Sequence, residues 1–268
     1  QGSGEVRDLR PAMSLGTAQA QDLQTKLAQF AADGTRDLQR SHLDALVQSW
    51  GATSTMPTSI QTSTTLANPA AGAGSITAVA QFAAGNPTLY AQITALERFN
   101  GNTILDKWVR PSGGGTSAVS FSAQQEAFIH QAYEALTESV YGALVVQTRL
   151  KPYLDSIALV IAEEGVSFDT TALLADLDAA KAVDVRAALL DLVDLDLHAL
   201  PTLQAAGFDG LGTLRAWIES LPVGSALRTE LGSLHVYEGA STMGSDGGDI
   251  YFGGAAGATF TAGSGNDI

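Results

Sequence analysis

Asp249 and Asp267 are the residues best placed for chemistry, standing among nine glycines in a tail, Gly239 to Ile268, that contains no Lys or Arg. Carboxylates set among glycines bring side-chain oxygens close to exposed backbone carbonyls. That is the ligand chemistry of a hard divalent cation such as Ca²⁺. The whole chain leans the same way, with 28 Asp plus Glu against 14 Lys plus Arg and a net charge of −14 over 268 residues. Without a basic cluster to offset that charge, the polyanionic backbone of a nucleic acid is excluded as a partner.

Other chemistries lack their residues. Zero Cys removes a thiol nucleophile, a disulfide framework and any cysteine-based zinc site. The histidines are His42, His130, His198 and His235. His130 and Glu134 share a helix face at i and i+4, yet the two-histidine metalloprotease motif is missing, so they read as a structural pair. No nucleophile elbow and no phosphate-binding loop occurs, and Gly72-Ala73-Gly74 reads as a loop signal rather than a dinucleotide fingerprint. Trp50, Trp108 and Trp217 read as core anchors, with a sugar or peptide pocket as the alternative. Asp191, Asp194 and Asp196 read as a solvated acidic helix face rather than a metal cluster. No catalytic residue is nominated.

The elements that must position the tail are helical. Leu23, Leu27 and Phe30 mark one helix, and Leu38, Leu43, Leu46, Val47 and Trp50 mark a second that stops at Gly51. Ala45 to Leu96 carries no charged residue, and its middle, Thr53 to Ser75, is rich in Thr, Ser, Ala, Gly and Pro. It reads as a long uncharged loop, an insertion or a lid. Leu89, Ile93, Leu96 and Phe99 restore the helical period up to a cap at Asn100-Gly101, and the Pro111 to Gly115 stretch reads as flexible. Ser122 and Gln125 have capping-box spacing and open what should be the central helix, with a stripe through Phe128, Ala132, Ala135, Leu136, Val140, Ala143 and Leu144. Pro152 should end or kink it. The apolar run Ile157 to Ala162 fits a buried helix turn or strand. Leucines and aspartates alternate from Asp169 to Gly207, giving two helices broken near Ala182 to Asp184, and two further helices cover Leu211 to Leu221 and Ala226 to Leu234.

The tail then changes period, and aligns in blocks of nine. Residues 244 to 252 read GSDGGDIYF, 253 to 261 read GGAAGATFT, and 262 to 268 read AGSGNDI. Set against G-G-x-G-x-D-x-U-x, the first block keeps Gly244, Gly247, Asp249 and Tyr251, and the third keeps Gly263, Gly265 and Asp267. The second keeps Gly253, Gly254 and Phe260, but Ala256 and Ala258 replace Gly and Asp. This pattern resembles the hemolysin-type (RTX) calcium-binding nonapeptide repeats, which form a parallel β-roll. Segments VRDLRPAMSL, HLDALVQSWG, ITALERFNG and SVYGALVVQTRLKP look like a helical domain found with such repeats in very large secreted bacterial proteins.

Gln1-Gly2-Ser3 read as a tag remnant, residues 1–3, and the resemblance implies a mainly α fold beyond them: 4–234 a multi-helix domain with a long uncharged loop at about 53–75, and 235–268 the beginning of a parallel β-roll. Two blocks make one coil of such a roll, so residues 18 apart stack on one edge. Asp249 and Asp267 are then candidate Ca²⁺ ligands, with carbonyls of Gly244, Asp246, Ala262 and Ser264 nearby. The middle block's missing Asp leaves the opposite edge free of calcium. The implied function is a non-catalytic structural or interaction module, an excerpt of a longer protein exported by a type I channel, secreted or held at the bacterial surface. There it would serve adhesion, with adjoining repeats of the same chain and a cell-surface or glycan receptor as partners. A fragment of a membrane-active or enzymatic toxin is the alternative, disfavoured by acidic helices and the lack of a membrane span.

Overall fold

The computed structural model describes residues 6–56, 69–112, 116–163, 165–239, 241–245, 248–253, 259–263 and 267–268. The chain is mainly helical, with a few short strands, and divides into two units: residues 1–30 with 41–137, and residues 31–40 with 138–268.

In chain order, α1 is Leu9–Met13, α2 Ala18–Ala32, α3 Arg36–Ala52, α4 Pro69–Gly85 and α5 Pro87–Asn100. A 3₁₀ turn, Leu105–Trp108, leads into a hairpin of β1, Val109–Ser112, and β2, Thr116–Val119, before α6, Ala123–Val145. The core of the first unit gathers Val79, Phe82, Leu89, Ile93 and Leu105, with Val109, Val119 and Phe121 packed against them. Trp50 meets Phe99 edge-on at 5.3 Å and donates its indole N–H to the Arg7 carbonyl at 2.9 Å, so it anchors the core. Glu97 is buried and accepts from the amides of Ile104 (2.6 Å) and Leu105 (3.0 Å), which fixes the turn that follows α5. Gly101, at φ 71°, ends α5 in the left-handed conformation expected of it.

Several expectations for this unit need correction. The segment read as a loop from Thr53 to Ser75 becomes helical at Pro69, because alanine-rich sequence needs no charge to form a helix once its start is set by proline. Gly72-Ala73-Gly74 therefore lies in α4. Residues 57–68 and the glycines 113–115 lie outside the described residues, while Pro111 and Ser112 belong to a strand. The capping box is formed, Gln125 N donating to Ser122 Oγ (3.3 Å) and Ser122 N to Gln125 Oε1 (2.8 Å). The buried line of α6, however, is Tyr133, Val140, Tyr141, Leu144 and Val145; Phe128 is 60% exposed. Trp108 is only half-buried, with Arg110 over its ring at 5.3 Å.

The second unit continues with α7, Lys151–Asp155, then a hairpin of β3, Ala158–Ala162, and β4, Gly165–Asp169. It proceeds through α8, Thr171–Val183, α9, Val185–Ala205, α10, Gly210–Ser220, and α11, Ala226–Glu230, to a 3₁₀ turn, Leu231–Leu234. The break between α8 and α9 falls at Asp184, whose carboxylate caps α9 by accepting from Ala187 N at 3.0 Å. The long helix buried in this unit is α9: Leu189, Leu190, Leu192, Val193, Leu195, Leu197 and Leu203 face inward on nearly every side. The run Ile157 to Ala162 forms a strand, but every residue of β3 and β4 is exposed rather than buried.

The tail contributes β5, Val236–Gly239, β6, Ser241–Met243, β7, Ile250–Gly253, and β8, Thr259–Thr261. They form two separate parallel pairs, β5 with β7 and β6 with β8. Val236 lies opposite Ile250, and Ser241 opposite Thr259.

Candidate functional site

The tail brings Asp249 and Asp267 together. Asp249 N donates to Asp267 Oδ1 at 3.1 Å, Ile268 N to the Asp249 carbonyl at 2.8 Å, and Tyr251 N to the Ile268 carbonyl at 2.9 Å. Residues 249 to 251 thus run beside residues 267 and 268 with an offset of 18, the offset that also relates Ser241 to Thr259. Aromatic side chains stack along the same direction: Tyr237 on Tyr251 at 5.5 Å, and Tyr251 against Phe260 at 4.6 Å. Ile250 and Val236 are buried beneath.

The two carboxylates differ in surroundings. Asp249 is fully buried and loaded with donors: Ser245 N at 2.7 Å and Tyr251 Oη at 3.4 Å on Oδ2, His235 Nδ1 at 2.9 Å and Ser245 Oγ at 3.0 Å on Oδ1. His235 reaches it from a left-handed residue, φ 63°, directly after the 3₁₀ turn. The position of Gly244 is forced, since a Cβ there would fall 1.8 Å from Tyr251 Oη and 2.6 Å from Asp249 Oδ2. Tyr251 in turn has its hydroxyl pushed up to about 12, by desolvation and then by the charges of Asp249 and Asp267. Asp267 is half-buried and accepts the Asp249 amide.

Calcium needs several oxygen acceptors at once. In this arrangement Asp249 faces N–H and O–H donors, and Asp267 accepts the Asp249 amide through Oδ1. Gly244 gives its amide to the Thr261 carbonyl at 2.8 Å, and Ala262 is exposed beside that strand. Asp246 and Ser264 lie outside the described residues. Among the described residues no three His, Asp or Glu side chains gather as a metal site.

Ser245, His235 and Asp249 also have the residue types of a hydrolytic triad, but their geometry is different. A triad uses opposite nitrogens of the imidazole for base and orienter. Here Ser245 Oγ (2.8 Å) and Asp249 (2.9 Å) share the same Nδ1, and the hydroxyl lies within bonding distance of the aspartate itself. Both groups serve to hold Asp249 rather than to activate a nucleophile.

A second polar constellation, inside the helical part of the same unit, escaped the reading of the sequence. Asp194 and Asp196, read as a solvated face, are both fully buried. Asp194 accepts from Tyr141 Oη at 2.5 Å, is bonded by Arg149, and lies 3.3 Å from Arg36 Nε. Arg149 also bonds Asp191, which accepts from Tyr153 Oη at 2.9 Å. Arg40 clamps Glu138 through two bonds of 2.9 Å and lies over the Tyr141 ring at 4.2 Å, with His198 Nε2 3.6 Å from the same glutamate. Burial works to raise Asp194, but Arg36 and Arg149 outweigh it and hold the carboxyl below its ordinary range. Burial pulls His198 the other way, below the usual imidazole value. The signal available in sequence was the placing of Arg36, Arg40 and Arg149 in a cation-poor chain. The network's charges are paired within the unit, although among the described residues Arg36 Nη1 and Asp194 Oδ1 are buried without a hydrogen-bond partner. His130 and Glu134 are exposed, and no interaction between them marks a site.

No protein-family model matches the chain, and no solved structure matches it. It is similar to the iron-regulated protein FrpA of Neisseria meningitidis serogroup C, 24% identical over 234 residues that cover 81% of this chain and 19% of FrpA. The chain thus spans about a fifth of the length of that relative. Among the described residues no helix is long and apolar enough to cross a membrane.

Proposed function

We propose that this chain is a structural and interaction module of a secreted RTX-type protein: a helical domain whose last turns seed a calcium-binding β-roll. The observation that carries the reading is the parallel stacking of tail residues at intervals of 18, Ser241 on Thr259 and Asp249 beside Asp267. Such stacking is what two nonapeptide blocks per coil require. A solenoid needs a polar or packed cap over its first rung. Leu231, Leu234 and Val236 are all buried, Val236 lies opposite the buried Ile250, and the His235–Asp249 contact ties the end of the helical part to the first repeat. Calcium is the ligand of this reading, held on the side of Asp267 with acceptors from the repeat. Adhesion at a cell surface, or to a glycan, is the role this arrangement would serve in the longer protein.

Calorimetric titration of the chain with CaCl₂ tests the proposal. Saturable binding that disappears in Asp267→Ala, with the helical circular dichroism unchanged, is the expected result. Absence of binding up to millimolar CaCl₂, or binding indifferent to Asp267, overturns it.

A further inference from the structure

Asp196 is fully buried on α9, and among the described residues neither of its oxygens meets a hydrogen-bond donor. An ionised carboxylate in that position would carry its charge without water or partner, so the group holds a proton instead. The side chain points at the start of α10. An ideal Cβ on Gly210 would fall 2.0 Å from Asp196 Oδ1, and the missing side chain is what lets the two helices meet there. Asp209, the residue before Gly210, caps α10: its carboxylate accepts from Gly212 N at 2.8 Å and its carbonyl from Thr213 N at 3.0 Å. The first turn of α10 thus brings a second carboxylate toward the buried one. Other charged groups on the surrounding helices are engaged elsewhere. Arg36, Arg40, Arg149 and Glu138 gather around Asp194 and His198, each two residues from Asp196 and so about 200° away around α9. On α8, Asp176 and Asp178 are exposed and Lys181 lies over the Trp217 ring at 4.3 Å, while on α10 Arg215 pairs with Glu219 at 3.0 Å. The charge that acts on Asp196 is that of Asp209.

We propose that the contact between Asp196 and Gly210 is a proton-controlled clasp, closed while Asp196 carries its proton and opened by the loss of that proton, which frees the first turn of α10 from α9. Losing the proton sets two carboxylates against each other in a dry site that offers Asp196 no donor. The relief is local. Water reaches Asp196 once the turn Gly210 to Thr213 lifts, whereas Leu214, Trp217 and Ile218 are buried further along α10 and keep the rest of the helix in place. Gly207, left-handed at φ 76°, lies in the short connection between the two helices and can take up the movement. Burial, and then Asp209, push the carboxyl up to about 7 from its ordinary 3.8. The clasp is therefore closed in mild acid and loosens as pH rises through neutrality.

Hydrogen exchange of the chain at pH 5.5 and pH 8.5 in EDTA, corrected for the intrinsic rate at each pH, tests the clasp at the amides of Gly212 and Thr213. Asp196→Asn keeps the shape of the side chain without a proton to lose, and Gly210→Ala places a Cβ where Oδ1 lies; circular dichroism verifies that each variant folds. The expected result for the parent is corrected exchange at least about tenfold faster at pH 8.5, with the amides of Leu192 and Val193 in α9 little changed. Asp196→Asn should show the slow rate at both pH values, and Gly210→Ala the fast rate at both. Three results overturn the proposal: equal corrected rates for the parent at the two pH values, a rise with pH that survives in Asp196→Asn, or a rise as large at Leu192 and Val193 as in α10, which would mark a general loosening of the fold.

Discussion

A carboxylate stripped of water needs cations at contact distance, and Asp194 has Arg36 and Arg149. Removing one partner of such a buried cluster leaves the others uncompensated, at a typical cost of about 3–5 kcal/mol. Asp194→Ala should therefore lower the urea-unfolding free energy by about that amount, and a loss under 1 kcal/mol would refute the assignment. Asp196 sits nearby in sequence but in the opposite state. Among the described residues neither of its oxygens has a hydrogen-bond partner, and burial, helped by Asp209, pushes it up to about 7. A carboxyl raised in the folded protein keeps its proton there while the unfolded chain has already lost it. Its contribution to stability is fully present below about pH 3.8, declines as pH rises, and is gone once pH passes about 7. Asp196→Asn should remove a decline on the order of 3 kcal/mol between pH 4 and pH 8, so the variant gains on the parent as pH rises. Parallel pH profiles of the two would contradict this. Spacing within α9 could not separate the two aspartates from solvent-facing ones. Their burial depends on Arg36 and Arg149, which lie far away in sequence, and on Gly210, whose Cβ would meet Asp196 Oδ1 at 2.0 Å.

Helices whose ends are written locally were legible. The Ser122–Gln125 box, the left-handed Gly101 and the Asp184 break all depend on residues within one turn. Ser122→Ala should cost about 1 kcal/mol in thermal or urea unfolding, and no measurable loss would show the box to be idle. Elements set by tertiary surroundings were not legible. The α4 segment offered no charge pattern from which to place its start, and β3–β4 could not be told from a buried run because apolar residues normally imply burial. In the tail, the nonapeptide period predicted which residues stack. It did not foresee that the first rung would pair at a different offset, Val236 opposite Ile250, where His235 and Ser245 hold Asp249. Asp249→Asn keeps the shape of that side chain but loses its charge toward His235 and the Ser245 amide. It should loosen the tail and raise amide exchange at Ile250, while the exchange of α9 stays as it was; unchanged exchange at Ile250 would refute the latch.

At the scale of the whole molecule, a net charge of −14 is a standing cost of self-repulsion that bound divalent cation and added salt both relieve. Salt acts on any acidic protein, whereas a built site responds to calcium at constant ionic strength. The likeness to FrpA covers most of this chain but only 19% of that protein, so further repeats in a longer polypeptide belong with the proposal rather than with the structure. The most direct test of the β-roll reading is the thermal unfolding midpoint of the chain and of Asp267→Ala, in EDTA and in millimolar CaCl₂ at matched ionic strength. A ligand bound only by the folded state at about 100 times its Kd adds roughly 2.7 kcal/mol, a shift of several degrees for a chain of this size. The account predicts that calcium raises the midpoint of the parent by that much and leaves Asp267→Ala where EDTA does. Equal midpoints for the parent in EDTA and in calcium would contradict it.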